Sequence, residues 1–198
     1  FEIEKFAGYA AAGINRLSIG IQSFNPEHLS ALGRIHNRDE ALRAVEIAHQ
    51  HFGNFNLDIM YALPKQTLAQ AQADIRLAIE CNSTHLSAYH LTLEPNTLFH
   101  RYPPSLPDDD LAADMQEMIE AELASAGFEH YETSAFAKAG KRSQHNLNYW
   151  QFGDYLGIGA GAHGKISFHD KIIRQARYKQ PSEYLAKMAA GNAIQSEN

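Results

Sequence analysis

The feature that most constrains this chain is the alternation of strand-like and helix-like segments through its first half. Residues 15–21 carry apolar Leu17, Ile19 and Ile21 at the two-residue period of a strand. Asn25-Pro26 then opens a short helix, because Asn caps well and Pro is tolerated in a first helical turn. A longer helix is predicted over 38–52, with Leu42, Val45, Ala48 and Phe52 on one stripe and Gly53 as its stop. A second strand follows at 56–61, a third helix at 67–80 and a third strand at 85–93. Strands joined by helical crossovers of this length run parallel. The pattern therefore predicts an α/β fold, either a doubly wound sheet or a complete or partial barrel. In each of these, functional side chains gather at the C-terminal ends of strands and in the loops that follow.

The flanking segments are read the same way. A helical pattern opens at Phe1 and runs over 2–12, ending at Gly13. Residues 94–107 form a loop that holds four of the seven prolines. Asp108-Asp109-Asp110 opens a helix to about residue 126, its carboxylates favouring the positive end of the helix dipole. Residues 129–136 alternate as one strand, 143–152 are polar and aromatic, 154–168 are glycine-rich, and a last helix is predicted over 181–190. With no linker-like tract inside it, 1–198 reads as a single domain.

Composition narrows the function classes. Lys and Arg number 17 against 23 Asp and Glu, a net charge of −6. A nucleic-acid binder advertises a basic excess, so no nucleic-acid partner is expected. No apolar run approaches the ~20 residues of a membrane helix. The one cysteine, Cys81, suits a reducing cytoplasm and cannot hold a metal cluster alone.

Several side chains are candidates for chemistry, each with a structural alternative. Gln22, just after the first strand, either satisfies its own loop or hydrogen-bonds a polar ligand. Arg34 is either a solvated surface cation or an anion contact. Asp58 interrupts an apolar strand, where a carboxylate needs a cationic or hydroxyl partner, structural or functional. Among eleven histidines, His49 and His51 point too far apart on a helix to share a metal, and both are expected to face solvent. His145, in His145-Asn146-Leu147-Asn148-Tyr149-Trp150, is either a satisfied loop histidine or an iron-ligating imidazole beside stacking aromatics. Gly159, Gly161 and Gly164 make a formal G-x-G-x-x-G, but Lys165-Ile166-Ser167-Phe168 reads as extended chain, against a dinucleotide fingerprint. Close backbone packing, or close approach to a ligand, is the better reading of these glycines.

Taken together, GINRLSIGIQSFNPEHLSALGRIH, NLDIMYALPKQT, HLSAYHLTLEPNTLF, HNLNYW and GDYLGIGAGAHGK resemble the radical-SAM proteins related to oxygen-independent coproporphyrinogen III oxidase. Within that family the resemblance is to the heme-chaperone branch, and it covers nearly the whole chain. It implies a partial parallel (β/α) barrel of the radical-SAM type. It also implies that Gln22, Arg34 and Asp58 contact S-adenosylmethionine (SAM), with Thr92, on the third strand, lining the same ligand and His163 near its adenosine end. His145 matches the histidine of the branch's H-N-x-x-Y-W motif, which implies a heme contact and a candidate ligand to heme iron.

The family's C-x-x-x-C-x-x-C motif, which holds a [4Fe–4S] cluster, and its G-G-G-T-P strand have no counterpart here. These segments are expected before Phe1, and the family's C-terminal domain after Asn198, so the cluster is assigned to the parent protein only. The chain as given is expected neither to cleave SAM nor to contain a catalytic residue. The implied function is a cytoplasmic heme-binding chaperone whose partners are heme and heme-accepting proteins, with peripheral membrane association through those partners. The alternative is coproporphyrinogen III oxidase activity in porphyrin biosynthesis; H-N-x-x-Y-W at 145–150 favours the chaperone.

Overall fold

The computed structural model of the chain describes residues 2–198, so the helical opening predicted at Phe1 lies outside the described residues. The chain divides into two compact units, one ending at Arg142 and one over Ser143–Asn198. Where the sequence reads as one domain, the division falls at a boundary that no Pro-, Gly- or Ser-rich tract marks.

The first unit runs α1 (Phe6–Ala11), β1 (Leu17–Gln22), α2 (Pro26–Ala31), α3 (Arg38–His51), β2 (Phe55–Tyr61), α4 (Leu68–Glu80) and β3 (His85–His90), followed by α5 (Leu98–Arg101), α6 (Asp109–Ser125), β4 (Glu129–Glu132) and β5 (Ala135–Ala137). Local chemistry sets the helix starts. Asn25 accepts from Glu27 N, Asn37 and Glu40 cap each other reciprocally, and Thr67 and Gln70 do the same. Asp108 accepts from Leu111 N.

The sheet order is β1-β2-β3-β5-β4. The first three strands are parallel, as the crossover helices demand. The single strand predicted over 129–136 is a hairpin instead, and β5 pairs antiparallel with β3. The reversal is closed by Glu132, whose carboxylate accepts from both the backbone N–H and the hydroxyl of Ser134 at 3.3 Å. The third strand ends at His90, and the proline-rich loop contains the short α5, capped by Thr97.

Alternation along the parallel strands divides the sheet into two chemically distinct faces. Ile19, Ile21, Phe55, Leu57, Ile59, Leu86 and Ala88 are buried in one core with α3, α4 and α6. The helices contribute Ala41, Ala44 and Ala48 from α3, Ala71 and Ala78 from α4, and Met115, Ile119 and Leu123 from α6. The buried stripe of α3 thus centres on its alanines, which allow close approach to the sheet, and Leu42 packs at its margin. Burying each large side chain contributes about 1.5–3 kcal/mol. The opposite face carries Ser18, Gly20, Asn56, Asp58, His85 and Ser87, an unusually polar set for a parallel sheet.

The second unit contains α7 (Gln144–Trp150), β6 (His163–Ser167), β7 (Ile172–Arg177), α8 (Pro181–Ala189) and β8 (Ile194–Glu197), with the strands in an antiparallel sheet ordered β6-β7-β8. The glycine run leads into β6 rather than a helix, which removes the dinucleotide reading. Gly157 explains part of that run, because a Cβ there would collide with the His163 carbonyl. Lys165 is only 2% exposed, yet its ammonium reaches Phe152 O at 2.8 Å, Asp154 Oδ1 at 2.9 Å and Ser167 Oγ at 3.0 Å. The backbone N–H of Ser167, then Lys165, hold the Asp154 carboxyl down at about 2. Among the described residues no helix is long and apolar enough to cross a membrane.

Candidate functional site

The polar face of the first unit's sheet gathers groups able to bind a ligand. Register places Gly20 of β1 opposite Asp58 of β2, and the pairing slips between Gly20 and Gln22. Gln22 takes up that slip with φ of 70°, a left-handed conformation that costs a non-glycine residue about 1–3 kcal/mol. Its side chain then folds back over Gly20, where a Cβ would stand 2.6 Å from Gln22 Nε2. Glycine at position 20 therefore makes the cradle in which the Gln22 amide lies, over the residue that faces Asp58.

Asp58 is oriented by neutral donors. Its Oδ2 accepts from Ser18 Oγ at 3.0 Å and its Oδ1 from Asn56 Nδ2 at 2.9 Å. Asn56 Nδ2 also donates to Ser18 Oγ at 2.7 Å, while Asn56 Oδ1 accepts from His85 Nδ1 at 2.6 Å and from Ser87 Oγ at 3.1 Å. Because the Asn56 oxygen can only accept, His85 carries its proton on Nδ1. His85 Nε2 is then the acceptor for the Tyr131 hydroxyl at 2.6 Å. Burial, with the Arg16 charge adding to it, pushes His85 down to about 4, so its ring is neutral near pH 7. Arg16 lies within electrostatic reach of Tyr131, Asp58 and Tyr89, and its buried Nε has no hydrogen-bond partner.

The candidate residues are distributed unevenly. Gln22 and Asp58 come together on the polar face. Arg34 is exposed in the loop after α2, where its backbone N–H donates to Leu29 O at 2.9 Å. Thr92 corrects the expectation that it sits on the third strand: β3 ends at His90, and Thr92 is exposed in the next loop with its hydroxyl on Glu94 Oε1 at 3.0 Å. Strand pairing ends there because the chain turns into the proline-rich loop. His163, exposed at the start of β6, and His145, exposed on α7, belong to the second unit. The His145 ring meets Tyr149 edge-on at 4.8 Å. His49 and His51 are exposed as expected, and His49 also reaches inward: its Nε2 bonds Cys81 O at 2.9 Å and its ring packs edge-on to Phe55.

Sequence reasoning missed Ser18, Asn56, His85 and Ser87. The signal was there: each occupies a strand position of the same parity as Asp58.

The residues present fit two of the three implied groups. For SAM, the Gln22 amide folded back over Gly20 and the oriented Asp58 carboxylate on the strand position opposite Gly20 offer a donor–acceptor set suited to ribose hydroxyls and an amino group. For heme, His145 offers an exposed imidazole with an aromatic neighbour one helical turn away. A [4Fe–4S] cluster does not fit. Cys81 is buried, burial pushes its thiol up to about 11, and among the described residues no three His, Cys, Asp or Glu side chains are grouped to hold a metal.

Comparison with known proteins bears on the family and the fold. Residues 1–78 match the model of the Radical SAM superfamily. The chain is 52% identical over 186 residues to the heme chaperone HemW of Escherichia coli (strain K12), covering 93% of this chain and 49% of that protein. It is 54% identical to the heme chaperone HemW of Haemophilus influenzae, with the same coverage. The fold matches the solved structure of coproporphyrinogen III oxidase (HemN) from Escherichia coli, a radical SAM enzyme, with a TM-score of 0.80. That likeness covers 100% of this chain and 49% of the other at 22% identity, so it speaks for the fold alone. The chain spans about half the length of the curated relatives it matches. On this sequence identity and superfamily match, the chain is similar to the radical SAM superfamily, and within it to the HemW heme chaperones along 93% of its length.

Proposed function

We propose that this chain is part of a cytoplasmic heme chaperone that binds SAM on the polar sheet face, takes up heme through His145 and passes it to acceptor proteins. The observation that carries the heme assignment is the exposed His145 imidazole on α7, set edge-on to Tyr149 at 4.8 Å. An imidazole of this kind would ligate heme iron through a ring nitrogen, and an aromatic neighbour would favour a flat macrocycle. The names of the most similar relatives support the same reading.

Bound SAM would supply a sulfonium centre flanked by an amino acid and a ribose. Asp58, already turned by Ser18 and Asn56, accepts from a ribose hydroxyl or the amino group. Gln22 offers its amide to a neighbouring polar edge. Arg34 would clasp the carboxylate in bidentate fashion, and Thr92 would line the same ligand. The cluster is assigned to segments of the parent protein, since no cysteine set in this chain fits it.

Heme titration followed by Soret absorbance tests the proposal. Saturable binding that His145→Ala abolishes supports it. Equal binding by both proteins removes His145 and returns the oxidase alternative to consideration.

A further inference from the structure

The backbone after Gln22 is held by a carboxylate that comes from a different element of the fold. Asp74 of α4 is only 4% exposed. Its Oδ2 accepts from the Ser23 hydroxyl at 2.6 Å and its Oδ1 from the Phe24 backbone N–H at 2.8 Å. Ser23, fully buried, also accepts from Asn25 N at 3.0 Å, which ties the same carboxylate to the cap of α2. Both oxygens of Asp74 are thus spent on the two residues that directly follow Gln22.

This placement has a physical consequence. Gln22 sits in a left-handed conformation that a non-glycine residue leaves readily unless its neighbours are fixed. On one side the β1 ladder holds Gly20 against Asp58 and, after the slip, the Gln22 backbone against Ile59; on the other the Asp74 clamp fixes Ser23 and Phe24. A carboxylate buried to this degree is costly without partners. Burial pushes the Asp74 carboxyl up, while the Ser23 and Phe24 hydrogen bonds act against that by favouring its ionised form. Side-chain contact between Asp74 and the polar face is not needed, because it acts through the backbone.

We propose that Asp74 is a positioning residue: by clamping Ser23 and Phe24 from α4, it holds Gln22 in the strained conformation that lays its amide over Gly20. The inference rests on the proposed SAM reading for its ligand, though not for the clamp itself.

Two measurements on the full-length protein test it. The first is ligand-free: the side-chain amide resonance of Gln22 followed by NMR. Asp74→Ala should release that amide towards free-glutamine behaviour. Asp74→Asn should retain it, because Asn can still accept from Phe24 N–H and donate to Ser23 Oγ. An unchanged Gln22 resonance in Asp74→Ala overturns the inference.

The second is SAM affinity in a double-mutant cycle. Asp74→Ala should weaken SAM about tenfold, Asp74→Asn should restore most of the loss, and Asp74→Ala combined with Gln22→Ala should bind no worse than Gln22→Ala alone. Additive losses overturn the inference, because a general structural defect would add to the loss of the amide. Unaltered SAM binding by Gln22→Ala overturns the SAM reading at this residue instead, and the clamp is then decided by the NMR result.

Discussion

The side-chain amide of Asn56 donates to Asp58 Oδ1 at 2.9 Å, two residues further along the same strand, while its oxygen accepts from His85 Nδ1 at 2.6 Å. One buried amide thus links the candidate ligand carboxylate to a neutral imidazole on the next strand. Replacing Asn56 by Ala leaves the His85 N–H and the Ser87 hydroxyl without their acceptor and frees Asp58 from one donor. Urea denaturation should register a loss of about 1–3 kcal/mol. SAM affinity should fall with it, whereas heme binding through His145 should be unchanged.

The same network predicts an acid limb in stability. His85 titrates near 6.5 when unfolded and is pushed down to about 4 in the folded chain. Between those values the unfolded state binds the extra proton, so stability is complete above about pH 6.5 and falls as pH drops towards 4. The loss approaches about 3 kcal/mol at its full extent. His28 is lowered by burial too and acts in the same direction. Asp74, whose carboxyl is raised, acts oppositely as pH rises above its unfolded value. A His85→Gln variant should flatten the slope of unfolding free energy between pH 4 and 6.5. An unchanged slope would place the titration elsewhere.

Gly20 gives a cleaner separation of binding from stability. A Cβ at this position would stand 2.6 Å from Gln22 Nε2, the far end of a flexible side chain that can swing away. Gly20→Ala should therefore change the melting temperature little, by less than about 1 kcal/mol in equivalent stability. It should evict the Gln22 amide from its cradle and weaken SAM about tenfold. Equal affinity in the variant and the parent would mean that the folded-back amide is not the binding form.

The parallel strands and the longer crossover helices were legible from apolar period, and the short helix after Asn25 from its capping chemistry; the caps at Asn37 and Thr67 agree with that period in the structure. The hairpin was not legible, since Glu132 and Ser134 close it by side-chain contacts that leave the alternation of 129–136 almost intact. Asp58 stood out as a charge in an apolar strand, but its partners lie 40 residues away and 2 residues away, at Ser18 and Asn56. Spacing along the chain does not reveal such a network; strand parity does. The role of Asp74 was further out of reach, because it acts on residues 50 and 51 positions earlier through a tertiary contact.

In the second unit, stability should depend on Lys165 more than on any surface charge. Its ammonium is buried and fully engaged by Phe152 O, Asp154 Oδ1 and Ser167 Oγ, and it lies 3.9 Å from the centre of the Phe152 ring. Lys165→Met keeps the aliphatic length and removes the charge, so packing survives while the Phe152 carbonyl loses its donor. Asp154 is nearly half exposed and keeps its Ser167 contacts, which limits the electrostatic part of the loss. A cost of about 1–3 kcal/mol is expected. Gly157→Ala should match or exceed it, because its Cβ meets the His163 carbonyl, a backbone atom with no freedom to swing aside. Limited proteolysis separates the two units: both variants should speed cleavage within Ser143–Asn198 and leave the preceding unit as resistant as in the parent. Uniform loss of resistance across the chain would show that the two units unfold as one.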